Sequence, residues 1–164
     1  MPRTHAIPPD QTRRFLEPGP VVLLSTAHKG ERGIMTLGWH MMLGYDLVGT
    51  YIWSSNRSHA LARASRECVL NLPTADMLDT VVRIGNSSSA DADKFERFGL
   101  TAVDGSDIDA PGIGECHARF ECRLHETRIT ADYPLFVWRV VAAHAARRPK
   151  WPRTVHYRGD GQFM

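Results

Sequence analysis

Cysteine is scarce in this sequence, and neither sign of charge dominates it. The 164 residues include three cysteines, Cys68, Cys116 and Cys122, and no two of them form a CxxC pair. An odd number of separated cysteines argues against a disulfide framework and against a zinc site, so we expect three reduced, buried thiols. Twenty basic and eighteen acidic residues leave a formal charge of +2, which does not indicate nucleic acid or a membrane surface as a partner.

Long apolar runs are also absent. Residues 1–19 contain proline and charge throughout, so they indicate neither a secretory signal nor a transmembrane span, and we expect a cytoplasmic protein. A chain of 164 residues, 43% of them hydrophobic, can bury the core of one domain of ordinary size. We therefore expect a single domain over residues 1–164, with residues 1–19 as an extended arm.

The common catalytic signatures are missing as well. The sequence has no GxxxxGK[ST], HExxH or GxSxG motif, which removes support for P-loop, zincin and α/β-hydrolase activities. The segment from Gly112 begins like a dinucleotide fingerprint but lacks its third glycine. His117, Glu121 and His125 share one face of a predicted strand, yet residues four apart in a strand are separated by roughly 13 Å. That spacing is too long for a shared metal ion, so we expect no metal site.

Short apolar and β-branched runs predict a mainly β protein. Strands are predicted over residues 21–26, 34–42, 47–53, 68–72, 115–125, 135–145 and 154–157, and short helices over 59–66, 75–84 and 90–98. Apolar and polar residues alternate through 115–125, which indicates a half-buried strand with a solvated polar face. Six or seven strands with a few inserted helices indicate a β-barrel or a sandwich.

Three segments have the composition of a ligand site. In residues 34–40, Thr36 and Gly38 are small enough to let a flat ligand approach the backbone. Residues 54–59 (SSNRSH) and 85–89 (GNSSS) are polar junctions before predicted helices, and a helix N-terminus favours anions. The local pattern leaves the alternatives open, because a core strand and ordinary helix caps explain the same residues.

Six segments, taken together, carry a family resemblance over about residues 20–164. They are PVVLLST, IMTLGWH, SSNRSHALARASRECVLNLPT, GNSSSADADKFERFGLT, ECHARFECRLHE and PRTVHYRGDGQFM. The combination resembles the flavin reductase-like, FMN-binding split-barrel family, which includes the flavoredoxins. The resemblance implies a six-stranded antiparallel split β-barrel with a few short helices, assembled as a homodimer with one FMN per subunit near the dimer interface.

The same resemblance implies which residues hold the flavin. Those expected at the isoalloxazine ring are Met35, Thr36, Leu37, Gly38 and Trp39. Those expected at the phosphate and ribityl chain are Ser54, Ser55, Asn56, Arg57, Ser58 and His59. Those expected to complete the pocket are Asn71, Ser88, Ser89 and Lys94. No side chain is expected to act as a catalytic acid or base, because the flavin carries the redox chemistry.

The implied function is that of an NAD(P)H-dependent oxidoreductase. It would pass electrons from NADH or NADPH through bound FMN to free flavin or another acceptor. Two alternatives remain: a flavoredoxin-type carrier reduced by a protein partner, and a non-catalytic module that binds a polyanion through the basic residues between Arg147 and Arg158. Pro149 and Pro152 interrupt that basic stretch, which favours an edge strand or a dimer contact over a nucleic-acid patch.

Overall fold

The computed structural model describes residues 1–88, 92–126, 129 and 133–164. The strands are β1 (Thr4–Ile7), β2 (Val22–His28), β3 (Glu31–Leu37), β4 (His40–Met42), β5 (Leu47–Tyr51), β6 (Glu67–Leu72), β7 (Ala102–Val103), β8 (Gly112–Ile113), β9 (Ala118–Glu126), β10 (Leu135–Ala146), β11 (Tyr157–Gly159) and β12 (Gln162–Phe163). The α-helices are α1 (Arg13–Leu16), α2 (Arg57–Ser65), α3 (Leu78–Gly85) and α4 (Lys94–Arg97), with 3-10 turns at Pro9–Thr12 and Ala75–Met77.

One antiparallel sheet forms the body of the molecule. Its strands follow the order β3-β2-β6-β9-β10-β5-β4, and β1 pairs with the far end of β10. The long strand β10 pairs with β9 on one edge, and with β5 and then β1 on the other. Its register with β9 shifts twice, and such bulges increase the local twist. The predicted mainly β, antiparallel fold is confirmed, with seven strands along the main path rather than six.

Apolar side chains cover both faces of this sheet. On one face, Phe136 and Trp138 stack with ring centroids 5.2 Å apart, and the Trp138 indole donates a hydrogen bond to Thr50 Oγ1 at 2.8 Å. On the other face, Leu23 of β2 and Ile34 of β3 belong to a cluster that includes residues of α3 and α4. Two buried faces explain why residues 21–24 are apolar without alternation. The three cysteines are free and buried, as predicted.

The predicted strand over residues 34–42 is two strands in the structure. β3 ends at Leu37 and pairs with β2, whereas β4 begins at His40 and pairs with β5 at the opposite end of the sheet. The predicted strands leave residues 27–33 between them, but the turn before β3 consists of only Lys29 and Gly30, which adopt φ of 49° and 83°. Positive φ at both positions is typical of a two-residue hairpin turn, so β2 and β3 run up to this turn.

The expectation of an extended arm over residues 1–19 is wrong. β1 pairs with β10, and a 3-10 turn and α1 follow it. Leu16 is buried in the main core, and Ile7 and Phe15 pack against that core. These apolar side chains hold the segment on the body of the protein, where an extended arm would leave them in water.

The polar face of β9 is solvated only at Arg123 and His125, which corrects a second prediction. β9 begins at Ala118, so His117 lies before the strand, and both His117 and Glu121 are buried. The Glu121 carboxylate accepts hydrogen bonds from the backbone N–H groups of Ser106 and Asp107 at 2.9–3.0 Å. A loop distant in sequence therefore covers part of this face, and its amides stabilise the buried charge.

The C-terminal strand and the third helix are also displaced from their predicted positions. Thr154 forms only an isolated bridge with Thr74, and the final strands are β11 and β12, which pair as a hairpin. The helix predicted over residues 90–98 is limited to α4, and its predicted start at residues 90 and 91 lies outside the described residues. This C-terminal hairpin, β11–β12, forms one wall of a cleft beside β3.

Candidate functional site

A cleft of about 1010 Å³ opens beside β3. Its lining comes from residues 34–39, residues 55–58 at the start of α2, the C-terminal half of α3 with residues 86–88, Lys94, and Tyr157, Gly161 and Phe163 of the C-terminal hairpin. Among the described lining residues the charged ones are Arg57 and Lys94, and both are basic. The cleft therefore suits an anionic ligand.

The long wall of the cleft is the edge of β3. This strand ends the sheet and pairs only with β2 among the described strands. Ile34 lies in the core cluster beside α3, whereas Met35 and Leu37 pack in the other core cluster, and all three line the cleft. Because side chains from both faces contribute, the cleft follows the backbone edge of the strand, where N–H and C=O groups alternate.

Helix α3 is held close to this edge. Thr36 Oγ1 donates a hydrogen bond to the Val81 carbonyl oxygen at 2.6 Å. A Cβ atom added to Gly85 would lie 3.3 Å from Thr36 Cβ, so glycine at this position allows the end of the helix to approach the strand. Residues of both elements line the cleft, and the slot between them forms part of it.

One end of the cleft is the N-terminus of α2. Asn56 precedes the helix in an extended conformation, and its side chain makes no capping hydrogen bond. Arg57 and Ser58 form the first turn, and the alanine-rich sequence that follows favours the helix. Arg57 Nη2 donates to Glu31 Oε2 across the gap between α2 and β3. No side chain caps the first-turn amides of α2, and Arg57 adds a guanidinium group there. This end of the cleft therefore has the chemistry of an anion-binding site.

Lys94 is the first residue of α4, its ammonium group reaches the end of α3, and the residue is only 3% exposed. Its ammonium donates hydrogen bonds to the carbonyl oxygens of Ile84 at 2.9 Å and Ser87 at 2.7 Å. Asp93 positions it by capping α4, since its carboxylate accepts the Phe95 N–H at 2.8 Å. Burial, followed by the nearby charge of Arg97, lowers the pKa of Lys94 to about 8.

Three aromatic side chains cluster beside the cleft. The ring centroids of Trp39, Tyr51 and Trp53 lie 5.3–6.1 Å from one another, and all three residues line the cleft. Trp39 and Trp53 are 60% and 55% exposed. So much exposed aromatic surface around a cleft is typical of a binding surface for a flat ligand or a protein.

Most of the sequence-predicted site residues meet in this cleft. Those that line it are Met35, Thr36, Leu37, Gly38, Trp39, Ser55, Asn56, Arg57, Ser58, Ser88 and Lys94. Ser54 is exposed and outside the lining, and Ser89 lies outside the described residues. His59 is buried against Phe136, with ring centroids 5.3 Å apart, and burial lowers its pKa. The His59 side chain therefore packs in the core and does not line the cleft.

Asn71 is also placed away from the cleft. It is fully buried in β6, and its Nδ2 donates to the Leu23 carbonyl oxygen and to Ser25 Oγ, each at 2.9 Å. Its Oδ1 accepts the Ile113 N–H at 2.8 Å. These partners occupy the side chain, so Asn71 joins β2, β6 and β8 and has no donor directed to a cleft ligand.

Sequence reasoning missed the C-terminal hairpin as a wall of the cleft. Tyr157 and Phe163 pack with ring centroids 4.9 Å apart, and the Gly161 N–H donates to the Tyr157 hydroxyl at 3.1 Å. The available signal was the RGDG turn between two aromatic residues, which predicts a hairpin. It does not predict that the hairpin returns to β3.

Two features of other protein classes, a membrane-spanning helix and a metal-binding cluster, are absent from the described residues. No helix in the described ranges combines the length and hydrophobicity needed to cross a membrane. In the same part of the chain, no three His, Cys, Asp or Glu side chains form a group that could hold a metal ion.

Comparison with known proteins identifies the fold and the family. The family model described as "Flavin reductase like domain" matches residues 13–162. An uncharacterized protein of Archaeoglobus fulgidus is 34% identical over 110 residues, which are 66% of this chain and 62% of that protein. The chain thus spans less than two thirds of that relative.

Two solved structures share the architecture. An FMN-binding domain of a flavin reductases-like enzyme from Shewanella baltica overlaps with a TM-score of 0.90 at 24% identity, covering 99% of this chain and 94% of the other. A flavoredoxin of Desulfovibrio vulgaris overlaps with a TM-score of 0.80 at 18% identity, covering 89% and 85%. The predicted split-barrel architecture is thereby confirmed.

Proposed function

Since the chain belongs to the flavin reductase-like family, we propose that it binds FMN and transfers electrons from NADH or NADPH through the flavin to free flavin or another acceptor. The main observation behind this proposal is that one cleft joins the edge of β3 to the N-terminus of α2, where Arg57 adds a positive charge. A flavin mononucleotide has the same two parts, a planar polar heterocycle and a phosphate. The FMN-binding protein from Shewanella baltica, which shares this fold, supports the choice.

The residues present fit this cofactor. The edge of β3 would orient the ring, because backbone N–H and C=O groups can pair with its polar side. Arg57, Ser58 and the first-turn amides of α2 would hold the phosphate, and Lys94 adds positive charge from the α3 side. When bound, FMN supplies the hydride and electron transfer, so the chain needs no acid or base of its own.

The size of the cleft supports a second flat molecule beside the flavin. Ligand pockets commonly measure about 300–1,000 Å³, and this cleft of about 1010 Å³ is at the top of that range. Trp39, Trp53 and Tyr157 would shield one side of the slot from water. The nicotinamide donor and the electron acceptor would occupy this remaining space in turn.

We further propose that the protein acts as a homodimer of single-domain subunits in the cytoplasm. Trp39, Met41, Leu43 and Tyr45 are exposed on or beside β4, which ends the described sheet opposite β3. An exposed apolar edge strand is a liability unless another surface covers it. Trp39 belongs both to this surface and to the cleft lining, so a partner subunit on β4 would lie beside the flavin.

The visible absorption spectrum of the purified protein tests the proposed function. We expect a flavin spectrum after loading with FMN, and rapid bleaching when NADH or NADPH is added without oxygen. Bleaching by dithionite provides the control, because it shows that the bound flavin can be reduced at all. A protein that neither retains FMN nor binds it in a titration would contradict the proposal.

A flavoredoxin-type electron carrier is the second candidate, and the shared fold with the flavoredoxin of Desulfovibrio vulgaris favours it. The same spectra separate the two. A flavin that dithionite bleaches, and that NADH and NADPH leave oxidised, would identify a carrier reduced by a protein partner. A colourless protein with strongly salt-dependent binding to nucleic acid would instead support a polyanion-binding module.

Replacing Arg57 with alanine tests the phosphate end of the cleft. A charge-assisted hydrogen bond contributes about 1.5–3 kcal/mol, and we expect the lower end, roughly a tenfold weaker FMN affinity, because Glu31 already shares the guanidinium. Riboflavin, which has no phosphate, should bind as before. Arg83→Ala is the matched control, since Arg83 is exposed on α3 and outside the lining. An unchanged FMN affinity in Arg57→Ala would exclude this phosphate site.

A further inference from the structure

The proposed phosphate ligand Arg57 is already paired with a carboxylate. Glu31 is the first residue of β3, placed there by the tight turn at Lys29 and Gly30, and Arg57 is the first residue of α2. Glu31 Oε2 accepts a hydrogen bond from Arg57 Nη2. Both side chains remain partly exposed, Glu31 at 58% and Arg57 at 41%, so the pair can open without disturbing the core.

The other charges near this pair do not replace Arg57. Arg32, next to Glu31, is engaged by Asp93 at 2.5 Å and by Glu96 at 3.8 Å. Lys94 donates hydrogen bonds to two backbone carbonyl oxygens at the end of α3. Arg57 is therefore the cation best placed for a ligand phosphate at the α2 end, and Glu31 offsets its charge.

We propose that Glu31 sets the flavin selectivity of the cleft by competing with the flavin phosphate for Arg57. The inference rests on the proposed function and deepens it. A phosphate dianion must share the guanidinium with Glu31 or displace it, whereas riboflavin leaves the ion pair intact. The carboxylate thus lowers the preference for FMN over riboflavin, and it favours flavin that exchanges as a substrate over flavin that stays permanently bound.

The test is a set of flavin titrations with the full chain. Dissociation constants for FMN and riboflavin, measured by fluorescence at low and at physiological salt, are compared among wild type, Glu31→Gln, Arg57→Ala and the double variant. We expect Glu31→Gln to bind FMN about three- to tenfold more tightly at low salt and less so at high salt. Its riboflavin affinity should stay within about twofold, and in the Arg57→Ala background most of the gain should disappear.

Glu17→Gln provides the matched control. Glu17 pairs with Arg13 at 3.5 Å, and neither residue lines the cleft, so the same change of net charge should leave both affinities unchanged. Weaker FMN binding in Glu31→Gln would overturn the proposal, because it would mean that Glu31 positions Arg57. Unchanged FMN binding, or an equal gain for riboflavin, would overturn it too while leaving the flavin site in place. Failure of wild type to bind either flavin would instead reject the proposed function itself.

Discussion

Replacing Asn71 with alanine is expected to lower the free energy of unfolding by about 3 kcal/mol and to leave FMN affinity within about twofold of wild type. The substitution leaves the buried Ile113 N–H without its acceptor, and an unsatisfied buried polar group costs about 1–3 kcal/mol. It also removes the donor to Ser25 Oγ, whose own hydrogen bond to the Pro111 carbonyl oxygen helps hold β8 on the sheet. The small cavity left by the amide adds to this loss.

Urea unfolding and FMN titration of the same preparations measure the two quantities. For a chain of this size, a loss of about 3 kcal/mol corresponds to a fall in Tm of roughly 6–12 °C. Gln11→Ala is the control, because the Gln11 amide donates to the neighbouring Asp10 at the surface, outside the cleft lining. Its change should alter stability by less than about 0.5 kcal/mol. A large loss of FMN affinity in folded Asn71→Ala, without a comparable loss of stability, would return Asn71 to the cofactor site.

For Asn71 and His59, the family resemblance implied a role in cofactor binding that the position of neither side chain supports. His59 directly follows residues that line the cleft, whereas Asn71 lies in β6, which contributes no residue to the described lining. Neither side chain reaches the cleft. The sequence cannot show which way a polar side chain at a strand or helix position is directed when both sides of the element are covered. Here Asn71 is hydrogen-bonded to β2 on one side and to β8 on the other, and His59 packs against Phe136 of β10.

The predicted site residues that line the cleft share a different property. Residues 34–39 and 55–58 are contiguous and form the edge of a strand and the start of a helix. In these positions the backbone itself contributes to the surface, so the assignment does not depend on the orientation of a single side chain. The predicted clustering of these two segments is found in the structure, while their binding of FMN stays a prediction.

The fold was predictable where the hydrophobic pattern is local. The apolar face of β9, with Ala118, Phe120 and Cys122, is buried as its alternation indicates. The polar face is different, because the burial of Glu121 depends on a loop that precedes the strand and folds back over this residue. Likewise, the break between β3 and β4 separates strands with partners at opposite ends of the sheet. The largely apolar composition of residues 34–42 gives no sign of that separation.

Lys94 is expected to make the stability of the fold increase between about pH 8 and 10.5. Burial lowers its pKa in the folded state from the ordinary value of 10.5 to about 8. Over this interval the unfolded chain binds the proton more strongly than the folded chain does, so stability rises with pH. The difference of 2.5 pH units, at about 1.36 kcal/mol each, amounts to about 3 kcal/mol, and it is complete above pH 10.5.

The contribution of Lys94 must be measured as a difference between variants. Burial raises the pKa of the Cys68 and Cys116 thiols, and their unfolded forms ionise at alkaline pH, which destabilises the fold as the pH rises. This opposite trend is common to wild type and Lys94→Met, so it cancels. Urea unfolding at pH 7–10.5 should show wild type gaining up to about 3 kcal/mol relative to Lys94→Met, while the exposed-site control Lys150→Met follows wild type.

The protonation state of Lys94 should also affect the affinity for the proposed ligand. The second ionisation of a phosphate monoester is near pH 6, so FMN keeps a constant phosphate charge between pH 7 and 9 while Lys94 loses its proton around pH 8. If the ammonium faces bound FMN, the wild-type affinity should fall about three- to tenfold over this range, and the affinity of Lys94→Met should stay level. An equal fall in FMN affinity in both proteins would show that another group titrates. The charge of Lys94 would then stabilise the end of α3 without contributing to ligand binding.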